Sequence, residues 1–117
     1  MIGGVYSGLS ALQAIQKKVD SIANNTANVN TDGFKKTQVN LKEASPQGVK
    51  AEIRKVETPG PLVYERGPQG VEQVEKSNVE LTEEIPNLML SKRAFQANVK
   101  AIQAADEMLG YLLDVKG

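Results

Sequence analysis

The sequence predicts a mainly α fold. Two long terminal helices pair as a coiled coil, with a short β-hairpin and irregular middle between them. Three observations predict it. Near the front, Val5, Leu9, Leu12, Val19, Ala23 and Thr26 fall on one 4-3 spacing, with Gln16 the strongly polar member. Near the back, Leu81, Ile85, Leu88, Lys92, Phe95, Val99, Ile102, Asp106, Leu109 and Leu113 hold the same spacing without a break. Alternation of 4 and 3 keeps one stripe of a helix turned toward a partner helix. Between the two stripes, Pro and Gly gather at residues 58–61 and 67–70, which punctuate extended chain.

The first helix is expected over residues 4–28. Ser7, Gly8 and Ser10 weaken its opening turns. It runs out in Asn24-Asn-Thr-Ala-Asn-Val-Asn-Thr-Asp-Gly-Phe34. Asn and Asp bond to their own main chain and Gly33 accepts a positive φ, so a tight turn follows the helix. Residues 34–48 read as a polar connector without a period. Val49, Ala51 and Ile53 then alternate with Lys50, Glu52 and Arg54, the pattern of a half-buried strand. Thr58-Pro-Gly-Pro61 is a turn, Leu62-Val-Tyr64 a second short strand, and Val71 with Val74 a third extended piece. A lone hairpin is marginal in water, so this middle must lean on the helices or on a neighbouring subunit.

The second helix starts awkwardly. Ser77-Asn-Val-Glu80 matches a capping box. Pro86, however, lacks an amide proton and crowds the carbonyl of Thr82. Either the helix kinks at 85/86, or a short turn over 79–84 precedes a helix that begins at Pro86. The second reading is preferred, because proline suits a first helical position. From 87 to 114 the apolar pattern continues to the end.

Composition narrows the function. A chain of 117 residues is one domain by size, here divided into a helix with its turn (1–33), a connector (34–76) and a helix (77–117). Fourteen basic and fourteen acidic residues cancel, leaving no long-range pull toward nucleic acid or an anionic membrane. With no Cys and no His, the chain lacks a thiolate, the commonest neutral-pH base and the commonest metal ligand. Glu83/Glu84 and Asp106/Glu107 are the tight acidic pairs, and both read as helix-start or solvated groups. No catalytic residue, cofactor site, metal site or small-molecule substrate is expected, so the chain does not read as an enzyme. No apolar run is long enough for membrane insertion, and the front lacks the charged region of a cleaved leader.

What remains is assembly. A two-helix hairpin of this size leaves apolar surface that needs a partner. Gln16, Lys92 and Asp106 sit on the stripes, where polar groups set register at a cost in stability.

Two segments resemble the signatures of bacterial flagellar axial proteins, the rod, hook and hook-associated family. The first is Ser7-Gly-Leu-Ser-Ala-Leu-Gln13 followed by Ala23-Asn-Asn-Thr-Ala-Asn-Val-Asn-Thr-Asp-Gly-Phe-Lys35. The second is Ser77-Asn-Val-Glu-Leu81 followed by Lys92-Arg-Ala-Phe-Gln-Ala-Asn98, Ile102-Gln103 and Asp106-Glu-Met-Leu109. Each lies at the end where the family carries it. The short middle is most similar to proximal rod proteins of the C type. The resemblance implies a structural rod subunit of the flagellar basal body, exported unfolded through the flagellar type III apparatus without cleavage. Its partners would be further copies of itself and neighbouring rod and hook–basal-body proteins. Val5, Leu9, Leu12, Val19, Leu88, Phe95, Val99, Ile102, Leu109 and Leu113 would form the assembly seam. Asn24, Asn25, Asn28 and Gly33 would shape the turn that sets the angle of the connector. The competing expectation is a soluble coiled-coil adaptor or chaperone of such axial proteins.

Overall fold

The computed structural model describes residues 2–116. Helix α1 spans Ile2–Ala27 and helix α2 spans Leu81–Lys116. Between them run β1 (Thr37–Glu43), β2 (Val49–Lys55), β3 (Leu62–Gly67) and β4 (Gly70–Glu75). The shape is a rod of 80 × 24 × 18 Å.

The middle corrects the expected fold class. In place of a short hairpin with irregular chain, four strands form two separate antiparallel pairs, β1–β2 and β3–β4. Val39 faces Ile53 and Leu41 faces Ala51 in the first pair, while Val63 faces Val74 in the second. The polar connector therefore contains a strand. Val39 and Leu41 do alternate with Gln38, Asn40 and Lys42, a period-2 signal diluted by polar neighbours. Thr58–Pro61 does not close a hairpin. It links the two pairs, and the Gly67–Gly70 break is the second hairpin's turn.

The start of α2 is also corrected. The helix is continuous from Leu81, with Pro86 inside it. Glu83 and Glu84 amides donate to the Glu80 carbonyl at 3.0 Å, so the first turn closes ahead of the proline. Ser77 does not cap the helix. Its hydroxyl accepts from the Val79 amide at 3.1 Å, a local turn before the helix begins.

The helices pack antiparallel. Asn25 bonds Glu84 near one end, and a Cβ placed on Gly8 would lie 2.9 Å from Ile102 Cγ1 near the other. The α1 stripe that packs is Gly8, Ala11, Ile15, Ile22 and Asn25, of which the last four are buried. The contact within the chain therefore uses a different stripe from Val5, Leu9, Leu12 and Val19. The packed stripe has the same 4-3 spacing but starts one residue earlier, a rotation of roughly 100° about the helix axis.

The rotation has a cause. The β1–β2 hairpin lies along α1 and covers a second side of it. Ser21 Oγ shares a 2.6 Å bond with Thr37 Oγ1 at one end, and Ser10 Oγ accepts from the Val49 amide at 2.9 Å at the other. Val39 is buried there. With α2 on one side and the hairpin on another, small Ala11 and Ala14 permit close approach while Ile15 and Ile22 fill the angle between. Fully burying each Ile contributes about 1.5–3 kcal/mol. The β3–β4 hairpin packs against neither helix and stands out from the rod.

Candidate functional site

The most ordered polar structure lies where α1 ends, both hairpins are anchored and α2 begins. Residues 24–37 meet residues 75–84 there.

Asn25 is its centre, only 1% exposed. Its side-chain amide mimics a strand neighbour. Oδ1 accepts from the Thr37 amide at 3.0 Å, and Nδ2 donates to the Thr37 carbonyl at 2.8 Å. The same Nδ2 donates to Glu84 Oε1 at 3.2 Å. One side chain thus ties the end of α1 to the start of β1 and to α2. The fit is specific, because an amide offers a donor and an acceptor in one plane.

Asn78 repeats the device from the other side. Its Oδ1 accepts from the Lys36 amide at 2.7 Å, and its Nδ2 donates to the carbonyls of Val56 and Thr58 at 2.9 and 2.8 Å. The Val56 amide donates to the Lys36 carbonyl at 2.9 Å, extending the β1–β2 ladder up to this clamp. At Gly60 the chain passes so close to β4's exit that a Cβ would lie 1.9 Å from the Lys76 carbonyl oxygen.

The expected turn residues divide. The Asn28 side chain donates to the Asn24 carbonyl at 2.8 Å and caps α1, while Thr31 Oγ1 donates to Asn28 Oδ1 at 3.0 Å. Gly33 has φ +70° and its amide donates to the Glu75 carbonyl at 2.8 Å, joining the turn to the end of β4. Asn28 and Gly33 therefore lie in the turn, while Asn24 belongs to the last turn of α1 and offers its carbonyl to Asn28. Asn25 points inward, away from the turn.

Ion pairs surround the junction. Lys35 pairs with Glu75, and Lys36 Nζ lies 3.0 Å from Glu83 Oε2. Lys76 bridges Asp32, at 2.9 Å, and Glu65. The Lys35 and Lys36 ammonium groups hold Glu75 and Glu83 below the ordinary carboxylate range, and Glu65 with Asp32 raises Lys76. Glu84 behaves oppositely. It is 5% exposed, and burial pushes its carboxyl upward against the Asn25 bond and the Lys36 charge. Glu83 and Glu84 both lie in the first turn of α2, as the helix-start reading expects, but only Glu83 is solvated, because successive helix positions face different ways.

The seam residues are distributed as follows. Val5 and Leu9 are exposed, Leu9 by 50%, while Leu12 and Val19 are half-buried. On α2, Phe95, Val99 and Ile102 are half-buried, whereas Leu88, Leu109 and Leu113 are exposed, Leu113 by 63%. Of the five half-buried residues, Ile102 meets α1 at Gly8. The other five face outward. Among the described residues no group of three or more acidic, His or Cys side chains could hold a metal ion. No helix there is long and apolar enough to cross a membrane.

Asn25, Thr37, Asn78 and Glu84 were not legible as a unit. One signal pointed to Asn25: it continues the stripe of Ala11, Ile15 and Ile22.

A rod of two antiparallel helices, clasped at one end to hairpins by buried Asn25 and half-buried Asn78 and outwardly apolar, is the architecture of a structural component. The comparisons agree. The family model described as flagella basal body rod protein matches residues 5–35. The one described as flagellar basal body rod FlgEFG protein C-terminal matches residues 72–115. The two matched segments are the ones that meet at the junction. The chain is 42% identical over 60 residues to the flagellar hook protein FlgE of Borreliella burgdorferi, covering 51% of this chain and 14% of that protein. It is 47% identical over 49 residues to the flagellar basal-body rod protein FlgG of Bacillus subtilis, covering 42% and 19%. The hook protein FlgE of Treponema pallidum is 42% identical over 60 residues, covering 51% and 13%. The chain spans less than a fifth of the length of these relatives. It belongs to the flagellar rod and hook family of axial proteins, a structural family, and its place is the flagellar basal body. These matches do not single out the C type.

Proposed function

We propose that the chain is a subunit of the basal-body rod, exported unfolded through the flagellar type III apparatus. It assembles by packing its terminal helices against further copies and against neighbouring rod and hook–basal-body proteins. The observation that carries this reading is the outward apolar surface of both helices. Val5 and Leu9 on α1, and Leu88, Leu109 and Leu113 on α2, face water although each is a large aliphatic side chain. A helix that keeps such a surface is suited to a partner helix. The two helices present different surfaces, so a contact joining α1 of one copy to α2 of the next is heterologous, the kind that builds rings or open helical filaments.

Circular dichroism and sedimentation of the purified chain across a wide concentration range test the reading. Helix gained together with mass is the expected result, and a fully helical species of constant mass turns the interpretation to the adaptor. Leu9→Asp and Leu113→Asp should each weaken association roughly tenfold or more, since each places a charge in an apolar contact. Unchanged association in both variants would remove the seam.

A further inference from the structure

We propose that Glu84 is a proton-operated latch at the junction of α1, β1 and α2, closed when its carboxyl is neutral and loosened when it is ionised.

The geometry carries the argument. Glu84 is buried on the face of α2 that meets α1. The one hydrogen bond to its carboxyl among the described residues comes from Asn25 Nδ2 at 3.2 Å, the other N–H of that amide going to the Thr37 carbonyl. A buried carboxylate needs two or three good donors or a close counter-charge, and one long bond from a neutral amide is a poor substitute. A neutral carboxyl needs neither.

The charged groups around it are already engaged or open to water. Glu84 lines a groove of about 340 Å³ together with Lys18 and Asn25 from α1, Lys36 leading into β1, Arg54 from β2 and Glu83 from α2. The Lys36 ammonium is committed to Glu83, and Arg54 Nη2 donates to Gln38 Oε1 at 2.6 Å. Lys18 is half-buried on the groove wall. Glu83 adds negative charge beside Glu84 and Lys36 opposes it, with burial the larger influence.

The consequence is directional. A carboxyl whose folded pKa is raised contributes stability that is fully present below its unfolded value and lost as pH rises through the folded value. Because Asn25 holds both Glu84 and Thr37, the loss falls on helix pairing and strand docking together. The chain also isolates the effect. It has no His and no Cys. Glu52, Glu75 and Glu83 are shifted downward and Lys76 upward, away from the range between pH 5 and 8.

Carboxyl carbon NMR of the full wild-type chain reads the Glu84 titration directly. A midpoint above the ordinary Glu value, about 4.3, is expected, and one at or below it overturns the proposal. Thermal melting on either side of the Glu84 midpoint read by NMR supplies the second reading. The wild-type melting temperature should fall as pH rises through that midpoint. Glu84→Gln keeps the acceptor for Asn25, so it should match the wild type below the midpoint, exceed it above and flatten the slope. An unchanged slope in Glu84→Gln, or a lower melting temperature than wild type above the midpoint, also overturns the latch.

Discussion

Single side chains decide how tightly this molecule is held. Asn25 satisfies both main-chain groups of half-buried Thr37, so Asn25→Ala leaves the amide without its partner and the carbonyl with the 3.2 Å bond from Ser21 Oγ. A loss of about 2–4 kcal/mol is expected in urea unfolding, larger than a surface change would give. Ser91 is the opposite case. Its hydroxyl is buried on α2 without a hydrogen-bond partner. Ser91→Ala removes that unmet group and favours helix, so a gain of about 1 kcal/mol is expected in the same measurement. Neither role is visible in composition. Asn25 sits among asparagines that do form the turn, and only the fold reveals that one of them points inward.

At the level of elements, the sequence pattern reads helices better than it reads their orientation. Both helices and the strand from Val49 follow from apolar spacing. The packed face of α1 did not, because the helix carries two 4-3 stripes one residue apart. Leu-rich spacing favoured Val5, Leu9, Leu12 and Val19, whereas the stripe used inside the chain is built on Ala and Ile. Small residues permit close approach, an effect that hydrophobicity alone understates. Strand β1 was hidden for a related reason: Val39 is its one buried side chain, so its alternation is faint. Pro86 made α2 look later than it is. The ring removes one bond to Thr82 yet leaves the first turn intact, and packing on α1 outweighs the loss. Pro86→Ala should therefore stabilise the helix by about 1–3 kcal/mol, seen as a raised melting midpoint with unchanged helical content.

For the whole molecule, charge sets an acid limit. Glu75, Glu83 and Glu52 are held below their ordinary value of 4.5 by lysines. Such groups contribute stability above that value and lose it as pH falls through their folded values. The melting midpoint should therefore decline on acidification through those folded values, by a small amount because the pairs are open to water, and Lys35→Met, which removes Glu75's partner, should soften the decline. The clasped junction bears equally on the order in which the molecule comes together. Each hairpin joins residues a short loop apart, whereas Asn25 and Glu84 are 59 positions apart along the chain. Short loops close at little entropic cost and long ones wait for intervening structure. The hairpins should gain amide protection before the helix pair in pulsed hydrogen exchange. The rod is then completed from its centre outward: the ends meet last, and on pulling they part first.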